Sequence, residues 1–297
     1  IHGIEGFGPE YELPNKEAYN ETCAAVGNVF FNHRMFLLEK DGKYMDVAEV
    51  ALFNNVLAGV NLEGNKFFYV NPLESSGMVD RSHWFGTACC PTNLARLIPQ
   101  ISGLMYAHED NDIYCSFYTS NTVDIPLQSG NVNLIQSTNY PFDESISIIV
   151  NPEKKNQKFS LKMRIPTWIG NRFVPGKLYS YVDNNSQDWE LFINNQKVTN
   201  VLFKKGEVIF DDKGFVSISR KWKTGDKIEL RLLMPIHYSH AIYQVKADNG
   251  KVAITKGPLV YCAEGIDNIG GADRYFIENK DTNPSVIKEE SGILKGI

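Results

Sequence analysis

The sequence predicts a multidomain protein of α and β structure, with a helical first part followed by a β-sandwich. A chain of 297 residues is long enough for two domains. The first hundred or so residues carry apolar positions at helical spacing, whereas short β-branched or alternating runs separated by turn residues follow from about Asn111. We place the boundary near residue 108, which gives domains over 1–108 and 109–297.

Helical signals dominate the first domain. The predicted elements are a helix from Pro14-Asn15 to the break at Asp41-Gly42, a second helix over 44–57, a strand over 66–70 and a third helix over 91–105. Asn15 is a natural N-cap, and Gly59 ends the second helix. Pro91 suits the first position of the third helix, where its missing N–H costs nothing, and Pro99 predicts a kink or an early end.

Short strands dominate the second domain. The predicted strands are 113–118, 132–135, 145–150, 159–165, 191–193, 207–209, 216–219 and 227–233. The turns between them are marked by Ser129-Gly130, Asn194-Asn195, Lys205-Gly206, Lys213-Gly214 and Thr224-Gly225. This regular spacing is typical of a β-sandwich.

Composition and charge exclude several classes of protein. The net charge of −5 and the lack of a Lys/Arg-rich run argue against a nucleic-acid partner. No apolar run approaches the roughly 18–20 residues that span a bilayer, so no membrane partner is expected. The chain opens on Ile1-His2-Gly3 without a signal peptide, and we therefore expect it to be a piece of a longer protein.

Three of the five cysteines indicate metal or thiol chemistry. Cys23, Cys89 and Cys90 lie in the first third of the chain, which is unlike the even spread of a disulfide framework. Cys89 and Cys90 come just before the third predicted helix, whose N-terminal dipole favours thiolates. Two buried apolar cysteines or a vicinal disulfide are the alternatives. Cys115 and Cys262 are interpreted as buried, small apolar side chains.

Glu21 completes a possible set of four zinc ligands with these three cysteines. Residues two apart on a regular helix point about 200° away from each other. Glu21 and Cys23 can therefore share one metal only if the chain is irregular around Thr22. The sequence predicts such an irregular turn.

Other polar residues have weaker signals. Glu5 lies in a glycine-rich loop that can hold a carboxylate at a cleft, but Glu10 and Glu12 could do the same, and a solvated acidic loop is the simpler interpretation. His237 and His240 are interpreted as strand-end or surface histidines rather than as a metal pair. His83 and Trp84, close to Cys89 in the chain, are candidates to line a substrate site, although Trp84 could equally serve packing.

Several long segments resemble a known family. They are residues 3–15, 18–24, 67–74 and 84–96, with looser similarity over 163–168 and 256–261. Together they resemble the β-L-arabinofuranosidases of glycoside hydrolase family 127, once a domain of unknown function, and their family 146 relatives. The resemblance implies the C-terminal part of an (α/α)6 barrel followed by β-sandwich material.

The same resemblance implies roles for individual residues. It implies a zinc ion (Zn²⁺) bound by Glu21, Cys23, Cys89 and Cys90, with Cys89 as the nucleophile. It implies that Glu5 is the general acid/base and that Tyr69 contacts the sugar. The upstream half of the barrel, which supplies sugar-contacting histidines in the family, is expected from the same protein.

The sequence therefore predicts a retaining glycoside hydrolase that acts on β-L-arabinofuranosides or related plant-glycan sugars. Its partner would be an oligosaccharide or glycoside, and plant-glycan substrates favour a periplasmic or secreted location. In the alternative, a non-catalytic carbohydrate-binding module holds a structural zinc.

Overall fold

The computed structural model describes residues 5–6, 8–182, 188–199, 201, 207–265 and 268. The predicted turn at Lys205-Gly206 lies outside these residues, as do parts of the glycine-rich loop around Glu5.

The α-helices of the described residues lie in the first third of the chain, and two short 3-10 turns, Thr167–Ile169 and Lys246–Asp248, lie among the strands. The helical elements of the first part are α1 (Thr22–Glu39), α2 (Gly42–Ala51), a π-helical turn (Leu52–Val56), a 3-10 turn (Leu57–Gly59), α3 (Cys89–Leu97) and a longer 3-10 segment (Ile98–Leu104). The end of the second helix at Gly59 is confirmed, but its last part is a π turn followed by a 3-10 turn. The α-helical part of the third helix ends two residues before Pro99, as the missing proline N–H requires.

The first helix begins later than predicted. Asn15 does not cap it, because its side chain donates hydrogen bonds to the Asp248 carboxylate (2.9 Å) and to the Ala247 carbonyl (3.3 Å). The segment before Thr22 is thus held by residues that are more than 230 positions away in the sequence, and α1 starts at Thr22. Long-range hydrogen bonds have overridden the local capping signal.

The strand predicted over 66–70 is not a strand. Phe67 forms isolated bridges to Val60 and Ser82, while Val70 forms one to Glu21. Because each residue pairs with a different segment, no continuous ladder forms.

Strands make up most of the rest of the described chain. They are β1 (Tyr106–Glu109), β2 (Asp112–Cys115), β3 (Asn121–Leu127), β4 (Gly130–Thr138), β5 (Ser145–Pro152), β6 (Gln157–Arg164), β7 (Tyr179–Tyr181), β8 (Trp189–Ile193), β9 (Gln196–Lys197), β10 (Val208–Phe210), β11 (Phe215–Trp222), β12 (Asp226–Leu232), β13 (Ile236–Ala241), β14 (Ala253–Lys256) and β15 (Leu259–Tyr261). Each of the eight predicted runs overlaps one of these strands.

The described strands form three sheets. Their orders are β1-β2-β6-β11-β10, β3-β4-β5-β12-β8-β9 and β15-β14-β13-β7. Neighbouring strands are antiparallel except for β2 and β6, which pair in parallel. The first two sheets contribute to one buried hydrophobic cluster, and the helices form a second cluster that reaches the first sheet at Tyr114 and Phe215.

A buried ion-pair group joins α2 to the first sheet. Arg164 on β6 is fully buried and pairs with Asp46 and with Glu49, the latter at 2.5 Å. Tyr140 donates a hydrogen bond to Glu49 (2.8 Å), and Thr167 donates to Asp46. These contacts join α2 to the first sheet, and the three charged side chains are all buried.

None of the helices in the described part of the chain combines the length and the apolar character needed to span a bilayer.

Candidate functional site

Three thiols and one carboxylate come together between α1 and α3. The Sγ atoms of Cys23 and Cys90 are 3.3 Å apart, and those of Cys89 and Cys90 are 3.9 Å apart. Glu21 Oε1 lies 3.6 Å from the sulfurs of both Cys89 and Cys90. All four potential ligand atoms lie within 4.8 Å of one another.

These separations fit a metal ion of zinc size. Zinc–sulfur bonds of about 2.3 Å in a tetrahedron place the sulfurs roughly 3.8 Å apart. Cys90 and Glu21 are buried, whereas Cys23 and Cys89 are half-buried, so the cluster is closed on one side and open on the other.

Burial opposes the ionisation of two of these thiols. Burial raises the pKa of Cys23 to about 11, and burial also raises the pKa of Cys90. The predicted stabilisation of a Cys90 thiolate by the helix dipole is therefore outweighed in the protein alone. Cys89 and Cys90 also lie in the first turn of α3 rather than before it, and Pro91 is its third residue. Only a cation would allow several anionic ligands to share this space.

The backbone around Thr22 explains how Glu21 and Cys23 reach the same point. Glu21 has extended dihedral angles (φ −75°, ψ 137°) and lies just outside α1, whereas Cys23 is the second helical residue. The predicted irregularity around Thr22 is therefore confirmed.

Thr22 is held tightly on both sides. Its N–H donates to the Tyr69 carbonyl (3.1 Å), and its hydroxyl donates to the Phe68 carbonyl (2.9 Å). A Cβ atom on Gly59 would lie 2.6 Å from the Thr22 methyl group, so only glycine fits there. The close approach of Gly59 helps to hold the extended residue Glu21 beside the helix.

Tyr69 extends the cluster toward solvent. Its interaction with the Cys89 thiol, followed by the charge of Glu21, raises the pKa of Tyr69. The ring packs edge-on against Phe85, with ring centroids 5.5 Å apart. The structure therefore brings the predicted sugar-contacting residue close to the predicted nucleophile.

Two neighbours of the cluster were not identified from the sequence. Asn93 donates a side-chain hydrogen bond to the sulfur of Cys23 (3.2 Å). Tyr19 packs edge-on against Tyr69 (6.5 Å between centroids), and burial and the charge of Glu21 raise its pKa. The position of Asn93, four residues after Cys89, is a signal that could have identified it, because both lie on one face of a helix.

Glu5 is exposed. Burial and the charge of Glu21 are the main causes of the raised pKa of Tyr19, and the charge of Glu5 also contributes. Tyr19 is therefore within electrostatic range of Glu5 as well as of the cluster.

His83 and Trp84 lie on the exposed loop that leads to α3. The ring of His83 is exposed, and its Nδ1 atom is 3.2 Å from the Asn65 carbonyl oxygen. Trp84 is 61% exposed and meets Phe67 edge-on at 6.4 Å between centroids. Its free face is available to a ligand.

The remaining candidates lie elsewhere. Cys115 is buried as predicted, but Cys262 is exposed, so that interpretation of Cys262 was wrong. His237 and His240 lie on β13, where His237 is buried and stacks on Tyr181 while His240 contacts Ser180.

Comparisons with known proteins agree along the length of the chain. Residues 1–103 match the β-L-arabinofuranosidase GH127 catalytic domain, residues 112–234 the GH127 middle domain and residues 236–292 the glycoside hydrolase family 127 C-terminal domain.

Individual relatives agree with these matches. A non-reducing end β-L-arabinofuranosidase of Bifidobacterium longum subsp. longum is 31% identical over 314 aligned positions, which cover 100% of this chain and 43% of the relative. A solved GH127 β-arabinofuranosidase is 43% identical with a TM-score of 0.83, and the match covers 90% of this chain and 40% of that one. The GH127 β-L-arabinofuranosidase from Geobacillus stearothermophilus T6 is 38% identical with a TM-score of 0.75, covering 87% and 38%.

The chain spans less than half the length of these relatives. Its three matched regions nevertheless follow one another in the order catalytic, middle and C-terminal domain, and leave few residues unmatched. The chain belongs to glycoside hydrolase family 127.

Proposed function

We propose that this chain carries the zinc-thiolate centre of a retaining glycoside hydrolase that acts on β-L-arabinofuranosides or related plant-glycan sugars. The observation that carries the proposal is the cluster of Glu21, Cys23, Cys89 and Cys90, with its four ligand atoms within 4.8 Å, in the region that matches the catalytic domain. The sugar in this proposal is inferred from the names of the relatives, which are β-L-arabinofuranosidases.

Within this proposal, Cys89 is the nucleophile. It is half-buried, whereas Cys90 is buried, and it is the thiol whose interaction contributes most to the raised pKa of Tyr69. A substrate that contacts the Tyr69 hydroxyl would therefore lie next to the Cys89 sulfur. Bound zinc would keep the Cys89 sulfur deprotonated at neutral pH and fixed in position.

Glu5 is proposed as the general acid/base. In the first step the Cys89 thiolate attacks the anomeric carbon, the bond to the leaving oxygen breaks, and Glu5 donates its proton to that oxygen. In the second step Glu5 removes a proton from a water molecule that attacks the same carbon and releases the Cys89 thiolate. Two inversions give net retention.

The surrounding residues would position the reactants. Tyr19 lies within range of both Glu5 and the cluster, so it would set the separation between acid/base and nucleophile. Asn93 donates a hydrogen bond to the Cys23 sulfur and would keep that sulfur in place. His83 and Trp84 would line the outer part of the site, where the exposed indole could stack on a sugar ring.

The proposed architecture follows from the same family. The helices α1–α3 would be the last part of an (α/α)6 barrel over 1–108, and 109–297 would be β-sandwich material. The hydrophobic cluster shared by the first two sheets supports the sandwich, and the matched domain limits on either side of residue 108 support the boundary. The upstream barrel helices would come from the same protein.

The stereochemistry of hydrolysis tests this proposal. With the full-length protein and an aryl β-L-arabinofuranoside, we expect the β-anomer to be the first product seen by proton NMR. A haloacetamide derivative of arabinofuranosylamine should label Cys89, as shown by peptide mass spectrometry, and should leave the exposed Cys262 unmodified. An α-anomer as first product would contradict the covalent mechanism.

One observation favours a second candidate function. Four protein ligands complete the coordination of zinc, and closed sites of this kind are often structural. In that case the chain is a non-catalytic carbohydrate-binding module. Metal retention without hydrolysis and without labelling of Cys89 would support this function and exclude the first.

Metal content can be predicted separately from activity. The full-length protein is expected to contain one zinc ion at this site, and Cys23→Ser should weaken zinc binding by at least about tenfold because one thiolate ligand is lost. Elemental analysis and competition with a chromophoric chelator measure this. Cys262→Ser is the matched control and should bind zinc as the wild type does. Equal affinity in the two variants would exclude Cys23 as a ligand.

A further inference from the structure

We infer that Asn54 and Asn55, on the π-helical turn Leu52–Val56, are positioning residues that connect the third sheet to the backbone of the candidate site. The inference takes the site from the proposed function and adds a device that holds it in shape. It rests on a chain of side-chain and backbone hydrogen bonds from β15 to the residues beside Glu21 and Tyr69.

Asn54 forms the outer end of this connection. Its Oδ1 accepts a hydrogen bond from the Val260 N–H (2.7 Å), and its Nδ2 donates to the Pro258 carbonyl (2.8 Å). The amide thus satisfies the backbone at the start of β15 much as a neighbouring strand would. Nδ2 also donates to the Val50 carbonyl (2.9 Å), which ties the same side chain to its own helix.

Asn55 forms the inner end. Its Nδ2 donates to Asn20 Oδ1 (2.7 Å), and Asn20 Nδ2 donates in turn to the Asn71 carbonyl (3.0 Å). The Asn71 N–H donates back to the Asn20 carbonyl (3.2 Å). Asn20 precedes Glu21, and Asn71 follows Tyr69 by two residues, so one side chain holds both segments of the site.

The local helix geometry makes the connection possible. A π turn adds one residue to a helical turn and changes the directions of the side chains that follow, and such turns are frequent at functional sites. Here two consecutive asparagines bind different parts of the molecule, one the third sheet and one the site.

The energetic cost of Asn55 points to positioning rather than to stability. Its Oδ1 is buried and has no hydrogen-bond partner within the described residues. A buried carbonyl without a partner opposes folding, which offsets the gain from the bond to Asn20. Removing the whole amide should therefore change global stability little while it releases Asn20.

Further contacts bring the same sheet region to the same segments. Asn15 donates to Asp248, and Lys251 pairs with Glu74 at 2.9 Å. Glu74 also pairs with Lys16 at 3.3 Å. The C-terminal region thus contacts both chain segments that flank the site. The contacts of Asn54 and Asn55 lead to Asn20, which lies next to the candidate ligand Glu21.

Amide hydrogen exchange in the metal-free, full-length protein tests the inference. In Asn55→Ala, the N–H groups of Thr22 and Asn71 should exchange roughly fivefold faster, because one hydrogen bond that orders them is lost. Asn54→Ala should accelerate Val260 and, through Asn55, the same two groups. The matched control is Asn133→Ala, which loses a comparable amide bond to Asp124 on the second sheet and should leave both groups unchanged.

The other outcomes overturn the inference. Acceleration in Asn54→Ala that is confined to Val260 would show that the turn transmits nothing to the site. Equal acceleration of amides throughout the sheets in Asn55→Ala would show a general loss of stability instead of positioning.

A spectroscopic measurement addresses the same point when metal is present. In the cobalt-loaded, full-length protein, the thiolate-to-cobalt absorption should be altered by Asn55→Ala and unaltered by Asn133→Ala. If the wild type shows no such absorption, the metal site of the proposed function fails, while hydrogen exchange still decides whether the positioning residues act as inferred.

Discussion

Cys89→Ser in the full-length protein is expected to abolish hydrolysis of β-L-arabinofuranosides, with a loss in kcat of roughly 10³-fold or more. A serine hydroxyl in this position is a far weaker nucleophile than a metal-held thiolate. The residue lies where the chemistry would take place, with Glu21 Oε1 at 3.6 Å and the Tyr69 side chain close enough for the thiol to raise its pKa. Initial rates with an aryl arabinofuranoside measure the effect.

Two serine variants distinguish the nucleophile from other thiols. Cys115→Ser affects a thiol that is buried in the sheets near Gln136, and Cys262→Ser affects an exposed one. Both are expected to retain activity. Activity of Cys89→Ser equal to that of these controls would remove Cys89 from the mechanism.

Arg164→Met is expected to produce the largest loss of stability, about 3–5 kcal/mol in the free energy of unfolding. The variant leaves the carboxylates of Asp46 and Glu49 buried and close together without their counter-charge. The loss is measured by denaturant unfolding of the full-length protein, from the transition in which α2 and the first sheet unfold.

Burial is the reason for this magnitude, and an exposed arginine provides the control. Arg231 pairs with Glu229 at 2.7 Å but is 46% exposed, so Arg231→Met should cost no more than about 1 kcal/mol. Adding Asp46→Asn and Glu49→Gln to Arg164→Met should recover part of the lost stability. If the buried and exposed single variants unfold alike, the ion pairs do not hold the helices to the sheet.

The sequence predicted those parts of the site whose chemistry is unusual. Three cysteines in the first third of the chain indicated metal or thiol chemistry, and a metal shared by Glu21 and Cys23 required a break in the helix. The structure contains that break, because Glu21 is extended and α1 begins one residue later. A physical constraint drawn from the spacing of two residues thus predicted a local backbone conformation correctly.

The sequence could not predict features that depend on distant partners. The start of α1 was misplaced because Asn15 binds Asp248, and the strand over 66–70 was wrong because its residues pair with three separate segments. Tyr19 carries no local signal at all, since its role arises only where it meets Tyr69. Cys262 was interpreted from its residue type, which says little about burial at one position.

The separation of the ligands along the chain has a consequence for folding. Cys23 and Cys90 are 67 positions apart, and a shared metal ion would close the whole intervening segment into a loop. By the chain-entropy argument used for disulfides, such a cross-link disfavours the unfolded chain by about 4 kcal/mol. The loop contains α2, Gly59, Tyr69 and Trp84, so a single bound ion would keep all of these residues close to the proposed nucleophile Cys89 and would stabilise the folded chain as a whole.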